Sequence, residues 1–277
     1  MSTSSHALEM PGEAGRGAKL FTWISLLLLV GLPLVALILK GLELGPSGIY
    51  EALTAPATLA ALKVTFWTAS VMALVNAVTG TLLAWVLVRY EFPGKGLMNA
   101  LVDLPFAIPT LVAGVMLVGL YGPQSMFGQW LAPYGIQIVF AQPAIVLALL
   151  FISVPFVVRA VEPVLMELDP AEEEAASTLG ASRLTTFLLV SLPPLLPVIL
   201  SGTIRSFARA LGEFGSIVVV SGNIPHQTLT APVFLYGEIE SGAVGVAAAV
   251  SMVLVLVAFS LTLLARRLEQ RLSGGRR

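Results

Sequence analysis

The sequence contains no cysteine and only two histidines, His6 and His226. Without cysteine there is no disulfide framework, no thiolate metal site and no cysteine nucleophile. His6 lies in a polar N-terminal segment and His226 in a loop between apolar segments, so a histidine-based triad inside an apolar core is excluded and a metal centre is not expected. The chain also lacks a G-x-x-x-x-G-K-[ST] phosphate loop and an H-E-x-x-H motif. It therefore cannot bind a nucleotide in the P-loop manner.

Charged residues are scarce as well, at 11% of the chain against 57% hydrophobic residues. A soluble domain usually carries about 25% charged residues, whereas runs of about 20 apolar residues span a bilayer. The composition predicts an all-α polytopic membrane protein with about six transmembrane helices. The predicted spans lie near 20–39, 62–88, 98–120, 143–158, 195–220 and 243–264.

Two polar tails flank the predicted membrane domain, which covers 19–265. Residues 1–18 are expected to form a disordered tail, and residues 266–277 a strongly basic one. The first apolar run is longer than that of a signal peptide and no small-x-small cleavage site follows it, so it is expected to be retained. Apart from Lys40 and Lys63 at span edges and Arg205 and Arg209 inside the fifth span, the basic residues fall on the side of both termini, and the positive-inside rule places that side in the cytoplasm.

The third predicted span opens with Asp103-Leu104-Pro105-Phe106-Ala107-Ile108-Pro109-Thr110. Two prolines four residues apart cannot both sit in an undisturbed helix. The pattern allows either an ordinary kink at the helix entrance or a broken segment at membrane depth, which is tolerated where protein or a water-filled cavity surrounds it. Pro105 and Pro109 are therefore candidate gating residues.

The fifth predicted span contains Arg205, Arg209 and Glu213, spaced four residues apart, so they are expected to line one helix face. A lone charge at the bilayer centre costs about 2.5–3.5 kcal/mol on insertion scales. One interpretation is an Arg209–Glu213 pair with Arg205 near the cytoplasmic end. The other is an anion pathway in which the arginines offer donors to an oxyanion.

The longest polar interruption in the middle of the chain is 169–193. Asp169 can cap a helix, Pro170 fits its first position, and acidic residues crowd the first turn. Ala175, Ala176 and Gly180 then place small side chains on adjoining turns. The segment is either a solvated loop helix or a short helix that docks into a groove of a partner.

Glu174-Ala175-Ala176, three residues, Gly180, nine residues, and then Val190-x-Leu192-Pro193 resemble the EAA motif of the permease subunits of ABC importers. The resemblance implies a type I importer permease with the MetI-like fold in a bacterial inner membrane. It further implies a coupling helix within 169–185, in which Glu174, Ala175, Ala176 and Gly180 contact an ATPase subunit. ATP and Mg²⁺ would be bound by that partner, with no cofactor in this chain.

Three runs narrow the resemblance to the sulfate/thiosulfate branch, which neighbours the molybdate permeases: Val88–Gly94, Asp103–Thr110 and Arg209–Gly215. Val220–Pro225 is similar to the T-type subunits of that branch. The implied complex contains this permease, a homologous W-type permease, two ATPase subunits and a periplasmic sulfate- or thiosulfate-binding protein, in lipid and without nucleic acid. This chain would then import sulfate or thiosulfate without being an enzyme.

Two other classes of transporter remain open on the sequence alone. One is a molybdate or tungstate permease that works as a homodimer. The other is a secondary transporter or channel that uses no ATP. An intramembrane hydrolase is the weakest alternative, because no catalytic group accompanies the apolar segments.

Overall fold

The structure is a computed structural model that describes the backbone of residues 12–274 and the side chains of residues 17–270. In chain order the helices are α1 (Gly12–Leu26), α2 (Leu32–Leu42), α3 (Gly45–Thr54), α4 (Pro56–Arg89), α5 (Lys95–Ala107), α6 (Thr110–Tyr121), α7 (Met126–Leu131), α8 (Gln142–Glu167), α9 (Pro170–Thr178), α10 (Arg183–Thr186), α11 (Leu192–Leu211), α12 (Gly215–Val220), α13 (Ala231–Glu240) and α14 (Val244–Gly274). Short π-helical turns join α1 to α2 and α10 to α11.

The two predicted tails fall partly outside the described residues. The described part of the N-terminal tail, from Gly12 onward, is helical where the sequence suggested disorder. The described part of the basic C-terminal tail continues α14 as far as Gly274. The helices at both ends of the chain thus extend beyond the apolar segments that cross the membrane.

Five stretches of the described chain are long and apolar enough to cross a membrane. They are Gly17–Leu42, Pro56–Arg89, Gln142–Glu167, Arg183–Leu211 and Val244–Gln270. Helices α5 and α6 meet the same test only as a pair, and they are bent by 114° at the break between them.

The break between α5 and α6 falls at the second of the two prolines. Pro105 stays inside α5, Ile108 is extended with φ −84° and ψ 127°, and Pro109 precedes the first residue of α6. Proline lacks an N–H group and disfavours the helical conformation of the residue before it. A 114° bend is a broken span rather than an ordinary kink, which decides between the two alternatives that the sequence left open.

The pair α5–α6 carries the chain from one end of the helix bundle to the other. Helices α4 and α8 run parallel, because Asn76 contacts Ser153 and Arg89 contacts Leu168. Because α4 and α8 are parallel, the end of α4 and the start of α8 lie at opposite ends of the bundle. The chain between them must therefore cross the bundle, and α5–α6 makes this crossing. With this pair counted as one span, the described chain has six candidate crossings, so that α1 and α14 have their outer ends at the same end of the bundle as Arg89. We call this the basic end.

Buried polar contacts and glycines hold the central helices together. Asn76 Nδ2 of α4 donates to the carbonyl oxygen of Ser153 in α8 and to Ser206 Oγ in α11, both at 2.8 Å. Gly80 lies against Val157 of α8, where an added Cβ would be 2.7 Å from the valine Cβ. Such contacts let helices approach closely in an apolar medium. Helix α14 packs on α11, and α2 packs on α14 at the periphery.

The fifth predicted span, 195–220, is not one continuous helix. Helix α11 ends at Leu211, and the three residues Gly212, Glu213 and Phe214 separate it from the short helix α12. The fourth predicted span, by contrast, is one continuous helix, α8, which passes through Pro155 and Pro163 and ends at Glu167. The charged residues of the fifth predicted span therefore lie in different surroundings from those that an uninterrupted helix would give.

Candidate functional site

The surface helix α9 begins with the cap that the sequence predicts. The Asp169 carboxylate accepts a hydrogen bond from the N–H group of Ala171 at 2.9 Å, and Pro170 occupies the first helical position. Glu172 and Glu173 lie in the first turn, where the helix dipole favours negative charge. These local features start the helix before any tertiary contact is made.

Gly180 ends the same helix through its backbone conformation. Its φ is +85°, its N–H group donates to the carbonyl oxygen of Ser177, and that of Ala181 donates to Ala176, both at 3.0 Å. This is the Schellman arrangement, in which glycine is favoured because a Cβ is strained at positive φ. A Cβ on Gly180 would meet no atom of the described chain within 4 Å. Within this chain, glycine is needed here for conformation rather than for space.

The outer surface of α9 is open to a partner. Glu174 and Ala175 are exposed, Ala176 is half-buried, and the side chain of Leu179 is 89% exposed. Leu179 lies between the motif residues and extends their small surface with an apolar contact, which the sequence analysis did not single out.

The inner side of α9 is fixed to two membrane-crossing segments. Glu173 Oε1 accepts hydrogen bonds from Arg89 Nη2 at 2.8 Å and from Ser191 Oγ at 3.2 Å. Arg89 also donates to the carbonyl oxygen of Leu168 at 3.4 Å and lies 5.7 Å above the ring of Trp85. These contacts join α9 to the end of α4 and to the π-helical turn that precedes α11. The sequence carries no local signal for this pairing, because Arg89 and Glu173 are far apart along the chain.

The three charged residues of the fifth predicted span do not share a helix face. Arg205 and Arg209 lie on α11, but Glu213 lies in the break beyond its end. The expectation of one continuous face was wrong because the helix ends at Leu211. The Arg209–Glu213 pair itself exists, with Nη1 2.9 Å from Oε2.

Glu213 is only 2% exposed and has a second role in the break. Its Oε1 accepts hydrogen bonds from the N–H group and the hydroxyl of Ser216, each at 3.1 Å. A buried carboxylate must be paired and hydrogen-bonded. Glu213 meets both conditions and thereby joins the end of α11 to the start of α12.

Arg205 pairs with a residue near the end of α14. Its Nη2 lies 2.6 Å from Glu269 Oε2, and Ser201 Oγ donates to the other oxygen of Glu269 at 2.6 Å. A second arginine at this end of the bundle, Arg159 of α8, binds both oxygens of Asp103 in α5 at 2.8 and 2.6 Å. Neither Glu269 nor the role of Arg159 could be predicted from the sequence, since both contacts are between residues distant in the chain.

Two neighbouring cavities connect these arginines. The first, the α8 cavity, has a volume of about 500 Å³ and is lined by Arg159, Glu167, Arg205 and Glu269, among others. The second, the arginine cavity, has a volume of about 580 Å³. Its lining residues are Phe156, Arg205, Ala208, Arg209, Val255, Ala258, Phe259, Thr262 and Arg266. Phe156 and Arg205 line both cavities. Pro105 and Pro109 line neither, although Phe106 between them lines the α8 cavity.

A bundle of six crossings with a capped surface helix and charged cavities defines a membrane permease, and its fold is that of ABC importer permeases. A bacterial alginate ABC transporter, solved in complex with a periplasmic protein bound to an alginate pentasaccharide, matches with a TM-score of 0.76 and 18% identity over 92% of this chain and 93% of that chain. A methionine ABC transporter, MetNI, in an inward-facing conformation, matches with a TM-score of 0.53 and 19% identity over 82% of this chain and 94% of that chain. The predicted MetI-like fold is confirmed.

The chain belongs to the family described as binding-protein-dependent transport system inner membrane component, whose model matches residues 76–274. Members of this family are permease subunits, and ATP hydrolysis belongs to a partner ATPase. The predicted family is thus confirmed, and the chain is a multi-span protein of the inner membrane.

Similar curated proteins match along nearly the whole chain. The sulfate transport system permease protein CysT of Synechococcus elongatus is 47% identical over 88% of this chain and 87% of its own length. The proteins of the same name are 46% identical in Synechocystis, over 90% of this chain and 87% of that protein, and 41% identical in Escherichia coli, over 89% and 91%.

Proposed function

We propose that this chain is the membrane-spanning permease subunit of an ATP-driven importer of sulfate, with thiosulfate as a second oxyanion substrate. The observation that carries the proposal is its similarity to permeases named for sulfate transport, at 41–47% identity over most of both chains. The arginine side chains of the two cavities support it, since guanidinium groups are suited to binding oxyanions.

The basic end of the bundle faces the cytoplasm in this proposal. Arg89, Lys95 and Arg183 lie at this end with the outer ends of α1 and α14, whereas Lys40 and Lys63 lie at the other, and cytoplasmic loops carry an excess of Lys and Arg. Helix α9 is then exposed to the cytosol. The opposite end, with α7 and α13, faces the periplasm and receives the binding protein.

The partners are a second, W-type permease, two ATPase subunits and a periplasmic sulfate- or thiosulfate-binding protein. ATP and Mg²⁺ bind to the ATPase subunits, and this chain holds no cofactor. Glu174, Ala175, Ala176 and Gly180 form the docking surface for one ATPase subunit. Closure of the ATPase pair on ATP moves α9, and the Arg89–Glu173 contact carries that movement into α4.

The path of the anion follows the arginines at the interface with the second permease. Arg205 and Arg209 supply donors, Glu213 holds the junction of α11 and α12, and the break at Pro105 and Pro109 lets α5 and α6 change their relative angle. The ATP-bound state opens the path to the binding protein, and hydrolysis returns it to the cytoplasmic side.

The experiment that tests the function is uptake of radiolabelled sulfate by a strain that lacks this chain, with and without its restored expression. Restored uptake that excess molybdate leaves unchanged supports the proposal. Uptake that molybdate abolishes indicates a molybdate permease instead. Copurification of a second, non-identical permease excludes a homodimer, and uptake by this chain alone under an ion gradient would overturn the ATP-driven mechanism.

A further inference from the structure

We propose that Arg205, Arg209 and Arg266 form a transient binding site for the transported oxyanion in the arginine cavity, with Arg266 as its third cation. This site rests on the proposed function, and it adds a residue of α14 to the two arginines of α11. Three guanidinium groups line this cavity of about 580 Å³, and none of its lining residues is acidic. The α8 cavity differs, because Glu167 and Glu269 line it together with its arginines.

The carboxylates that pair with two of these arginines lie outside the lining of the arginine cavity. Glu269 binds Nη2 of Arg205 from the α8 cavity, and Glu213 binds Nη1 of Arg209 from the break beyond α11. Each contact engages one nitrogen of a guanidinium group that carries five N–H donors. The two arginines are thus held in position by carboxylates and still have donors for a ligand.

Arg266 differs from the other two arginines of the cavity. Within the residues whose side chains are described, Arg266 makes no ion pair. Three guanidinium groups and two paired carboxylates leave one net positive charge. This attracts a dianion but does not neutralise it fully, and a transport site must bind its ion weakly enough to release it.

The arginine cavity lies at membrane depth, where its charged residues are not expected to face lipid. Ser206, next to Arg205, contacts Asn76 of α4, which lies about 20 Å from the Arg89 end of that helix at a rise of about 1.5 Å per residue. The side chains of Arg205 and Arg209 are 45% and 37% exposed in the single chain. Charged residues at membrane depth face protein or water rather than acyl chains. The cavity therefore lies where a second permease and a hydrated path meet.

The other walls of the cavity suit an oxyanion that has left water. Phe156 of α8 and Phe259 of α14 stand beside the arginines. Phe259 is 61% exposed in the single chain, and a second permease that covered it would exclude water and strengthen the attraction between guanidinium and anion. The three arginines come from two helices, so a change in the packing of α14 on α11 separates the donors and weakens the site. Release of the anion can thus be linked to the conformational cycle.

Arg267 provides a matched control for Arg266. It is the adjacent arginine on α14 and is exposed, but it does not line the cavity. Both residues carry one positive charge at adjacent positions of the same helix. A role in membrane topology alone therefore predicts equal effects of the two substitutions, whereas a role in binding predicts an effect of Arg266 only.

The test measures sulfate uptake by the complete transporter reconstituted in proteoliposomes, with its binding protein and ATP. We expect Arg266→Gln to lower the maximal uptake rate by about tenfold or more, as for loss of one charge-assisted contact, with ATPase stimulation by the loaded binding protein preserved. Arg267→Gln should stay within about twofold of the wild type, and Arg266→Lys should recover part of the loss.

Equal losses in the Arg266→Gln and Arg267→Gln variants, or full uptake by Arg266→Gln, would overturn the site. The wild-type measurement separates this failure from failure of the function itself. If the wild-type complex takes up no sulfate, the proposed substrate is wrong. If it does so and Arg266→Gln is unaffected, only the assignment of the cavity is wrong.

Discussion

Arg89 Nη2 lies 2.8 Å from Glu173 Oε1, and this pair joins the surface helix α9 to the end of the long crossing α4. Both side chains are largely buried, at 15% and 23% exposure. The acidic residue that makes the contact is the neighbour of the motif residue Glu174, which points to the outside. Adjacent glutamates thus differ, since one fixes the helix to its own chain and the other is exposed on its outer surface.

Loss of the Arg89–Glu173 contact should uncouple ATP hydrolysis from transport. In the Glu173→Gln variant we expect sulfate uptake to fall by about tenfold while ATPase activity is retained, because a hydrogen bond to a charged group contributes about 1.5–3 kcal/mol. The measurement is the ratio of uptake to ATP hydrolysis in proteoliposomes. Glu172→Gln, an exposed change in the same helical turn, serves as the control, and an equal ratio in both variants would contradict the role of the pair.

Substitutions of Gly180 should separate its conformation from its size. Asparagine tolerates positive φ better than other residues, whereas valine does not. If the backbone alone matters, Gly180→Asn keeps transport within about threefold and Gly180→Val loses it. If the ATPase subunit needs an empty space at this position, both variants lose transport although Gly180→Asn preserves the helix end. Uptake and membrane abundance, measured together, distinguish these results, and full uptake by Gly180→Val would count against both roles.

The exposed side chain of Leu179 should contribute to binding of the ATPase subunit. We expect Leu179→Asp to reduce copurification of the ATPase by about tenfold or more, because burial of a leucine side chain contributes about 1.5–3 kcal/mol and a carboxylate adds a desolvation cost. Leu189→Ala is the control, since Leu189 is also highly exposed, at 71%, but lies in the π-helical turn that leads into α11. Unchanged copurification in Leu179→Asp would show that the docking surface excludes this residue.

Removal of Arg209 should destabilise the protein far more than removal of Arg205. Arg209→Gln leaves the buried Glu213 without its ion pair, which typically costs about 3–5 kcal/mol. Arg205→Gln leaves Glu269 partly exposed and still bonded to Ser201, so we expect about 0–1 kcal/mol. Thermal unfolding of the purified complex measures both effects. The double variant Arg209→Gln/Glu213→Gln should recover most of the loss, and similar melting temperatures for the two single variants would refute the difference.

The sequence was most informative where the structure is local. The cap at Asp169, the first turn of α9 and its end at Gly180 depend on residues a few positions apart, so their pattern alone predicts a short helix there. The same holds for the apolar stretches that cross the membrane. The structure nevertheless gives a different explanation for the glycine at position 180. Its positive φ favours glycine whether or not a partner contacts this residue.

Contacts between distant residues could not be predicted in this way. Glu269 follows Arg205 by a whole crossing, and Asp103 and Arg159 lie on different helices, so no spacing links them. The predicted helix face of Glu213 was wrong for a different reason. Residues four positions apart share a face only while the helix continues, and α11 ends before Glu213. The Glu213 carboxylate lies just beyond the end of α11, where it accepts a hydrogen bond from the N–H group of Ser216 in α12, and it still pairs with Arg209 across the break.

The break between α5 and α6 also affects how this protein is made. Helix α5 has 13 residues and α6 has 12, which correspond to about 20 and 18 Å, less than the hydrocarbon thickness of about 30 Å. Each helix alone is therefore too short to cross the hydrocarbon layer. Gly114 of α6 lies against Ser216 at the start of α12, a segment synthesised two crossings later. Residues 95–121 can therefore reach their final packing only after α12 has been synthesised.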